Sequence, residues 1–101
     1  RKMVKVMVDD IQYIESLKDY VRIFVKDQQI ITKQTITSLE EMLPEKDFVR
    51  IHRSFIVSIK KIDSYTQHAV FLGKTELPVG PLYKQEIMKR LSRVTESGLS
   101  V

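Results

Sequence analysis

One stretch of this 101-residue sequence, from Phe48 to Ser58, constrains the fold more than any other. It reads FVRIHRSFIVS, with apolar residues on both sides of a cationic and hydroxyl-bearing centre. In one continuous strand, alternate residues share a face, so Arg53 would lie on the apolar face. A buried, unpaired guanidinium is costly, so the pattern predicts two buried strands joined by a turn. That turn presents His52, Arg53 and Ser54, and polar groups held this way are typical of binding sites.

Composition places the chain among globular domains of modest size that bury a single core. Hydrophobic residues make up 43% of the sequence and charged residues 30%, which argues against disorder. Apolar runs are far shorter than the roughly 20 residues that span a bilayer, so we expect no membrane partner and a cytoplasmic location. The sequence contains no cysteine, which excludes disulfides and thiolate metal sites.

The sequence carries no motif that predicts catalysis. Its three glycines are isolated, so it has no glycine-rich phosphate loop, and no nucleophile stands beside a base at a known spacing. His52 and His68 lie far apart without acidic residues at ligand spacing, so no zinc site is expected. We therefore expect no enzymatic activity, no catalytic residues, no metal and no cofactor.

Period-two patterns and turn residues predict a meander of strands in the first third of the chain. The predicted strands are residues 3–8, 11–16, 20–26 and 30–34, with a turn at residues 27–29 between the last two. Residues 37–40, Thr-Ser-Leu-Glu, match a capping box, in which Thr37 and Glu40 satisfy free amides at a helix start. Pro44 ends this helix after about two turns, so it needs packing to be stable and we expect it to be scaffold.

The second half of the chain predicts further short strands and a final helix. The predicted strands are residues 62–66, 69–72 and 75–79, with Gly73-Lys74 as a tight hairpin connection. A helix is predicted from Pro81 to about Arg93, with Tyr83, Ile87, Leu91 and Val94 on its apolar stripe. The predicted fold class is mainly β, with short antiparallel sheets and two short helices, one of them C-terminal. We expect a single domain over residues 1–101, structured from about residue 3 to 94 and cut from a longer chain.

Basic residues cluster at the ends of the predicted elements. The net charge of +4 makes polyanions plausible partners but is weak evidence alone. Lys60 and Lys61 are interpreted as solvated surface lysines. His52 is either a structural histidine bonded within its loop or a ligand contact, since both are ordinary uses of imidazole. Tyr20 heads an apolar strand, which favours core packing.

Three motifs in order carry a family resemblance. They are residues 11–16 followed by Asp-Tyr-Val at 19–21, the central residues 48–57, and Leu-Pro-Val-Gly at 77–80 with Tyr83. Together they resemble the LytTR family, DNA-binding output domains of bacterial transcription regulators that commonly follow a phosphoryl-accepting receiver domain. The resemblance covers roughly Met3 to Leu91.

The resemblance implies that short antiparallel sheets present loops, in place of a recognition helix, to successive major grooves of bent DNA. The implied DNA-facing segments are residues 17–20, 50–54 and 81–84. The implied contact residues are Lys18, Tyr20, Arg50, His52, Arg53, Ser54 and Lys84. Arg53 is expected to read a base edge, with Lys18 and His52 contacting a base or phosphate. Arg50 and Lys84 are expected to neutralise phosphates, and Ser54 to bond to the DNA backbone.

The sequence departs from the family pattern at two positions. Many members carry arginine directly after the position of Gly80, where this chain has Pro81 and Leu82, so base contact there is weakened or passed to Lys84. The family often ends its central motif with asparagine, where this chain has Ser58; either residue can cap the following turn. The resemblance also implies a first strand ahead of Arg1, which agrees with the expectation that the chain was cut from a longer one.

Two classes of function remain open at this point. The first is sequence-specific binding of double-stranded DNA at promoter repeats, as the output domain of a two-component response regulator. Such a domain would have an N-terminal receiver domain as partner and would bind DNA as a dimer. The alternative is a protein-interaction module that uses strand edges or the last helix, with the positive charge serving only solubility.

Overall fold

The computed structural model describes residues 2–92 together with Gly98 and Val101. The strands are β1 (Ile11–Leu17), β2 (Tyr20–Val25), β3 (Gln28–Thr32), β4 (Phe48–His52), β5 (Phe55–Ser58), β6 (Ser64–Tyr65), β7 (Ala69–Leu72) and β8 (Thr75–Pro78). The helices are α1 (Ile36–Met42) and α2 (Lys84–Leu91), and single 3-10 turns occupy Val8–Asp10 and Ile59–Lys61. None of these helices is long and apolar enough to cross a membrane.

The strands form two antiparallel sheets. The first has five strands in the order β3-β2-β1-β5-β4, and the second has three in the order β6-β7-β8. Most neighbours are consecutive hairpin partners, whereas the β1 to β5 pairing joins distant parts of the chain. The predicted fold class, mainly β with two short helices, one of them C-terminal, is confirmed.

The central strands β4 and β5 are buried on both faces. Phe48 and Ile56 join a core under α1 with residues of β1 and β2. Val49, Ile51 and Val57 point the other way, into a second core with β7, β8 and α2. A strand pair covered on both sides reads as a nearly continuous apolar run, which explains the composition of residues 48–58. The two cores share these strands as their common wall.

Several predicted turns are confirmed. β4 ends at His52 and β5 begins at Phe55, so the chain turns at Arg53 and Ser54 as the broken period predicts. Gly73 has a φ of 58° in the β7–β8 hairpin, a conformation that glycine adopts without steric cost.

Three predicted strands are wrong in extent or existence. Residues 3–8 form no strand, because no described strand pairs with them, and of Val4, Val6 and Val8 only Val6 packs against a core. The β2–β3 turn falls at residues 26–27, where Lys26 has a φ of 41°, so β3 begins earlier than predicted. The strand predicted at residues 62–66 shrinks to the two residues of β6, because the preceding backbone is a 3-10 turn.

Both helices begin at residues other than those predicted. The N-cap of α1 is Thr35, whose hydroxyl accepts a hydrogen bond from the Ser38 amide at 3.1 Å, so Thr37 is inside the helix and the predicted capping box is wrong. The first helical residue of α2 is Lys84, because residues 81–83 form a turn closed by the Tyr83 amide on the Gly80 carbonyl. The predicted helical positions Arg93 and Val94, and most of the predicted tail, lie outside the described residues.

Candidate nucleic-acid interface

Two backbone hydrogen bonds bring the three segments predicted to face DNA to one end of the domain. The Ser16 amide donates to the Ser54 carbonyl at 2.9 Å, which places the β1–β2 turn beside the β4–β5 turn. The Gly80 amide donates to the Ile51 carbonyl at 2.7 Å, which joins the segment after β8 to the same end. Residues 17–20, 50–54 and 80–84 therefore form one continuous surface, called here the loop face.

The imidazole of His52 closes the turn between β4 and β5. Its Nδ1 accepts a hydrogen bond from the Ser54 amide at 3.1 Å, and its ring lies 5.7 Å from that of Phe55. A nitrogen that accepts is unprotonated, so the proton of neutral His52 is on Nε2. Nε2 makes no hydrogen bond to the described part of the chain. His52 thus supports its own loop through one nitrogen and retains a free donor on the other.

Close packing around Gly80 holds the second and third segments together. A Cβ added to Gly80 would lie 3.2 Å from the Tyr83 ring and 3.5 Å from the His52 ring. The distance to the Tyr83 ring is tighter than an ordinary Cβ contact, so a side chain at this position would push that ring away, whereas the His52 ring is at ordinary contact distance. Gly80 lies between the predicted last strand and the predicted last helix, and in the structure its backbone packs against the rings of His52 and Tyr83.

Three cations of the loop face stand apart from the ion pairs found among the described residues. Arg53 projects from the β4–β5 turn, Lys18 stands in the β1–β2 turn with a φ of 54°, and Lys84 begins α2. Within the part of the chain that the structure describes, none of the three makes an ion pair. Unpaired cations on turns are suited to binding a polyanion, because no intramolecular bond must be broken first.

The exposed side chains of Tyr20 and Leu82 add apolar surface to the loop face. Tyr20 is 46% exposed and belongs to neither core, so the interpretation of Tyr20 as a core residue is wrong. It is the first residue of β2, at the end of the strand that adjoins the β1–β2 turn. Leu82 is 94% exposed, one residue after Pro81, which stands where arginine is common in the family pattern. The third segment therefore presents an apolar tip followed by Lys84.

Arg50 differs from the other cations because its guanidinium is already bonded. Nε donates to the His52 carbonyl at 2.8 Å, and Nη2 donates to the Arg53 carbonyl. Nη1 pairs with the Glu40 carboxylate at 2.8 Å, and the group lies 5.9 Å from the centroid of the Tyr83 ring. The side chain of Arg50 is only 12% exposed.

The sequence did not predict that Glu40 belongs to this site, nor that Tyr83, which lies within the predicted segment 81–84, contacts Arg50. Glu40 matched a capping box and Tyr83 a helix stripe, yet both contact Arg50 from different elements. No local pattern could show this, because an ion pair between α1 and β4 depends on how the two elements pack. All seven predicted contact residues lie on the loop face, although their contacts with DNA stay predictions.

An aromatic row continues from the loop face along the sheet, where Tyr13 and Phe55 pack against the second core. The Tyr13 ring stacks on Phe24 at 4.1 Å and lies 6.4 Å from Phe55, whose ring also contacts His52. Burial in this row raises the pKa of the Tyr13 phenol above 10.0. The ion pair with Lys60 lowers the pKa of Asp9, outside the loop face.

The fold and the loop face together define a class of protein: a mainly β domain that presents free cations on converging turns. The family model described as LytTr DNA-binding domain matches residues 1–92. The chain belongs to the LytTR family of DNA-binding domains.

Individual relatives agree with this assignment. The sensory transduction protein LytT of Bacillus subtilis (strain 168) is 32% identical over 94 residues, covering 85% of this chain. The transcriptional regulatory protein NatR of the same organism is 38% identical over 63 residues, covering 59% of this chain. The chain spans 39% of LytT and 27% of NatR.

A solved structure shows the same fold. It is a LytTr DNA-binding domain from Bacillus cereus, which superposes with a TM-score of 0.78 at 23% sequence identity. The match covers 89% of this chain and 88% of the other.

Proposed function

We propose that the loop face binds double-stranded DNA with sequence specificity. The observation that carries this proposal is the convergence of Lys18, Arg53 and Lys84 from three distant parts of the chain, none of them ion-paired within residues 2–92. Membership of a DNA-binding domain family supports a nucleic acid as the polyanion. Folding assembles this surface at one end, so one domain can contact several phosphates and bases together.

The environments of the side chains suggest separate roles in DNA binding. Arg53 is exposed and can donate two hydrogen bonds to a guanine edge, which makes it the base-reading residue. The free Nε2 of His52 can donate one hydrogen bond to a base or phosphate acceptor. Lys18 and Lys84 contact phosphates, with Lys18 also able to reach a base.

Three further residues of the loop face complete the proposed contact. The Ser54 hydroxyl bonds to a phosphate oxygen, and Tyr20 packs against the DNA backbone. Leu82 offers an apolar surface of the kind that contacts thymine methyl groups.

At the level of the whole protein, we propose an output domain of a cytoplasmic bacterial response regulator that controls transcription. The support is the names of relatives, a sensory transduction protein and a transcriptional regulatory protein, of which this chain spans less than half. A receiver domain N-terminal to this one and a dimer bound to promoter repeats follow from that proposal. Neither role requires an enzymatic activity of the domain.

In vitro selection of duplexes from a random pool tests DNA binding directly. We expect enrichment of a defined sequence and steep loss of affinity as salt rises, since phosphate contacts release counterions. Absence of any duplex binding at low salt would contradict the proposal and favour the protein-interaction module.

The Arg53→Ala variant tests the base-reading role. Binding to the selected duplex should weaken by about 1–3 kcal/mol and specificity at one base pair should relax. Affinities for the selected duplex and for duplexes altered at single positions provide the measurement. Unchanged affinity for the selected duplex would show that Arg53 does not read a base.

A further inference from the structure

Arg50 is one of the seven predicted DNA contacts, but its side chain is mostly buried and ion-paired, whereas Arg53 is exposed. Three of its nitrogen atoms donate to protein oxygens: the His52 carbonyl, the Arg53 carbonyl and the Glu40 carboxylate. The Cζ of its guanidinium lies over the Tyr83 ring, 5.9 Å from the ring centroid. A phosphate could engage Arg50 only by competing with these partners, and breaking a partly buried, hydrogen-bonded ion pair is costly.

The two carbonyl bonds act on the turn that carries the proposed base-reading residue. The carbonyls of His52 and Arg53 belong to the peptide units on either side of Arg53 that set the direction of its side chain. A planar guanidinium holds both oxygens in one geometry, which the single ammonium of lysine cannot reproduce. Arg50 thus restrains the backbone from which the side chain of Arg53 projects.

Glu40 and Tyr83 in turn hold Arg50. Glu40 reaches from α1 across a groove of about 720 Å³ that α1, β4 and α2 line, and its carboxylate pairs with Nη1. Tyr83 supports the guanidinium from the segment before α2. The chain from Glu40 through Arg50 to the β4–β5 turn therefore connects three elements.

We propose that Arg50 is a positioning residue, held by Glu40, that orients the β4–β5 turn for specific DNA binding and does not itself neutralise a phosphate. This inference rests on the proposed function. It assigns a role in DNA recognition to Glu40, a carboxylate that simple electrostatics would count as unfavourable near DNA.

Substitution of Glu40 distinguishes simple charge repulsion from positioning of Arg50, because the two explanations predict opposite changes in affinity for DNA. Removing a negative charge near a polyanion should strengthen binding, whereas releasing Arg50 should weaken binding to the selected duplex. Glu41 is a matched control: it lies on the same helix, lines the same groove and has no ion pair among the described residues. Alanine is the best helix former, so neither substitution weakens α1 through propensity.

We expect the Glu40→Ala variant to bind the selected duplex about tenfold more weakly, comparable to a lost bidentate base contact, with no loss for an unrelated duplex. Glu41→Ala should bind both duplexes as tightly as the unsubstituted 101-residue chain or more tightly. Equal behaviour of the two variants toward the selected duplex would overturn the inference.

The Arg50→Lys variant separates positioning from charge. A phosphate contact survives this substitution, so affinity for the selected duplex would remain, whereas a positioning role predicts a loss of about tenfold with the salt dependence retained. Affinity of Arg50→Lys equal to that of the unsubstituted chain would therefore refute the proposal.

Amide chemical shifts of residues 52–54, measured without DNA, give an independent readout. They should move in Glu40→Ala and Arg50→Lys but not in Glu41→Ala, while thermal unfolding confirms that each variant is folded. Unmoved shifts in the first two variants would contradict the positioning role even if the domain bound no DNA. If the unsubstituted chain bound no duplex while the shifts moved as expected, the proposed function would fail and the restraint of the turn by Arg50 would stand.

Discussion

Two arginines separated by three positions show how far the environment decides what a residue does. The side chain of Arg50 lies almost fully inside the domain, bonded to oxygens of the turn and of α1, whereas Arg53 is exposed without an ion pair among the described residues. The cause is the pleat and the turn: Arg50 follows Phe48 on the face of β4 that α1 covers, and Arg53 stands where the strand has ended. The same residue type therefore supports one role in structure and another in recognition.

Tyr13 provides a prediction at this scale through its pKa. Burial disfavours the phenolate, so the folded pKa lies above the unfolded value of about 10. The neutral phenol therefore contributes stability below about pH 10 that is lost as the pH rises through the folded pKa. We expect Tyr13→Phe to lose less stability than the unsubstituted chain between about pH 9 and 11.

Urea unfolding at several pH values measures this difference. The stability difference between the two proteins should be constant below about pH 9, which serves as the internal control. If the unfolding free energies of the two proteins changed with pH in parallel through the alkaline range, folding would not perturb the pKa of the Tyr13 phenol.

At the scale of elements, the position of helix α1 depends on its N-cap and on its packing against the sheet. It has seven residues, too few for stability in isolation, and buries Ile36 and Leu39 against the sheet. The cap at Thr35 in place of Thr37 shifts the helix start, so Glu40 is not tied to the N-terminus and can reach Arg50. Because the N-cap lies two positions earlier than predicted, Glu40 does not cap the helix and instead belongs to the site.

Substitution of the two threonines distinguishes the caps. Thr35→Ala removes the acceptor for the Ser38 amide and should cost about 1 kcal/mol of unfolding free energy. Thr37→Ala, inside the helix and exposed, should change stability by less than about 0.5 kcal/mol. Denaturant unfolding of both variants provides the measurement. A larger loss of unfolding free energy in Thr37→Ala than in Thr35→Ala would show that Thr37 is the N-cap, as the sequence predicted.

On the scale of the whole molecule, the distribution of charge is more informative than its sum. A net charge of +4 is modest, and several cations are paired away from the loop face, as Lys26 is with Asp10 and Lys60 with Asp9. The loop-face cations that lack an ion pair among the described residues instead come together from the β1–β2 turn, the β4–β5 turn and the start of α2. Folding therefore concentrates a weak overall charge into a directed electrostatic surface.

The salt dependence of DNA binding tests this distribution. Loss of one phosphate contact in Lys84→Ala should lower the slope of log affinity against log salt by about one and weaken all duplexes alike. Lys74→Ala removes the same charge from the β7–β8 turn, at the far end of β8 from the loop face, and should leave the slope unchanged. Equal slopes for the two variants would indicate that only net charge matters.

Sequence alone determined those features that depend on local physics. Alternating apolar residues predicted most strands, the broken period at Arg53 predicted the β4–β5 turn, and Gly73 predicted a hairpin that needs a positive φ. The strand that the same alternation predicted at residues 3–8 was wrong, because a strand also requires a neighbouring strand to pair with. The three motifs identified the family, which no period or composition could have done.

Only the tertiary structure decided how the site is assembled. A sequence pattern reports that a face is buried but not which element covers it, so the contact of Glu40 with Arg50 was invisible. The pairing of β1 with β5 and the bond from Gly80 to Ile51 likewise join residues far apart in the chain. Hydrogen-bond partners depend on distances of a few ångströms between elements, and those distances are set by packing of the two cores on either side of β4 and β5.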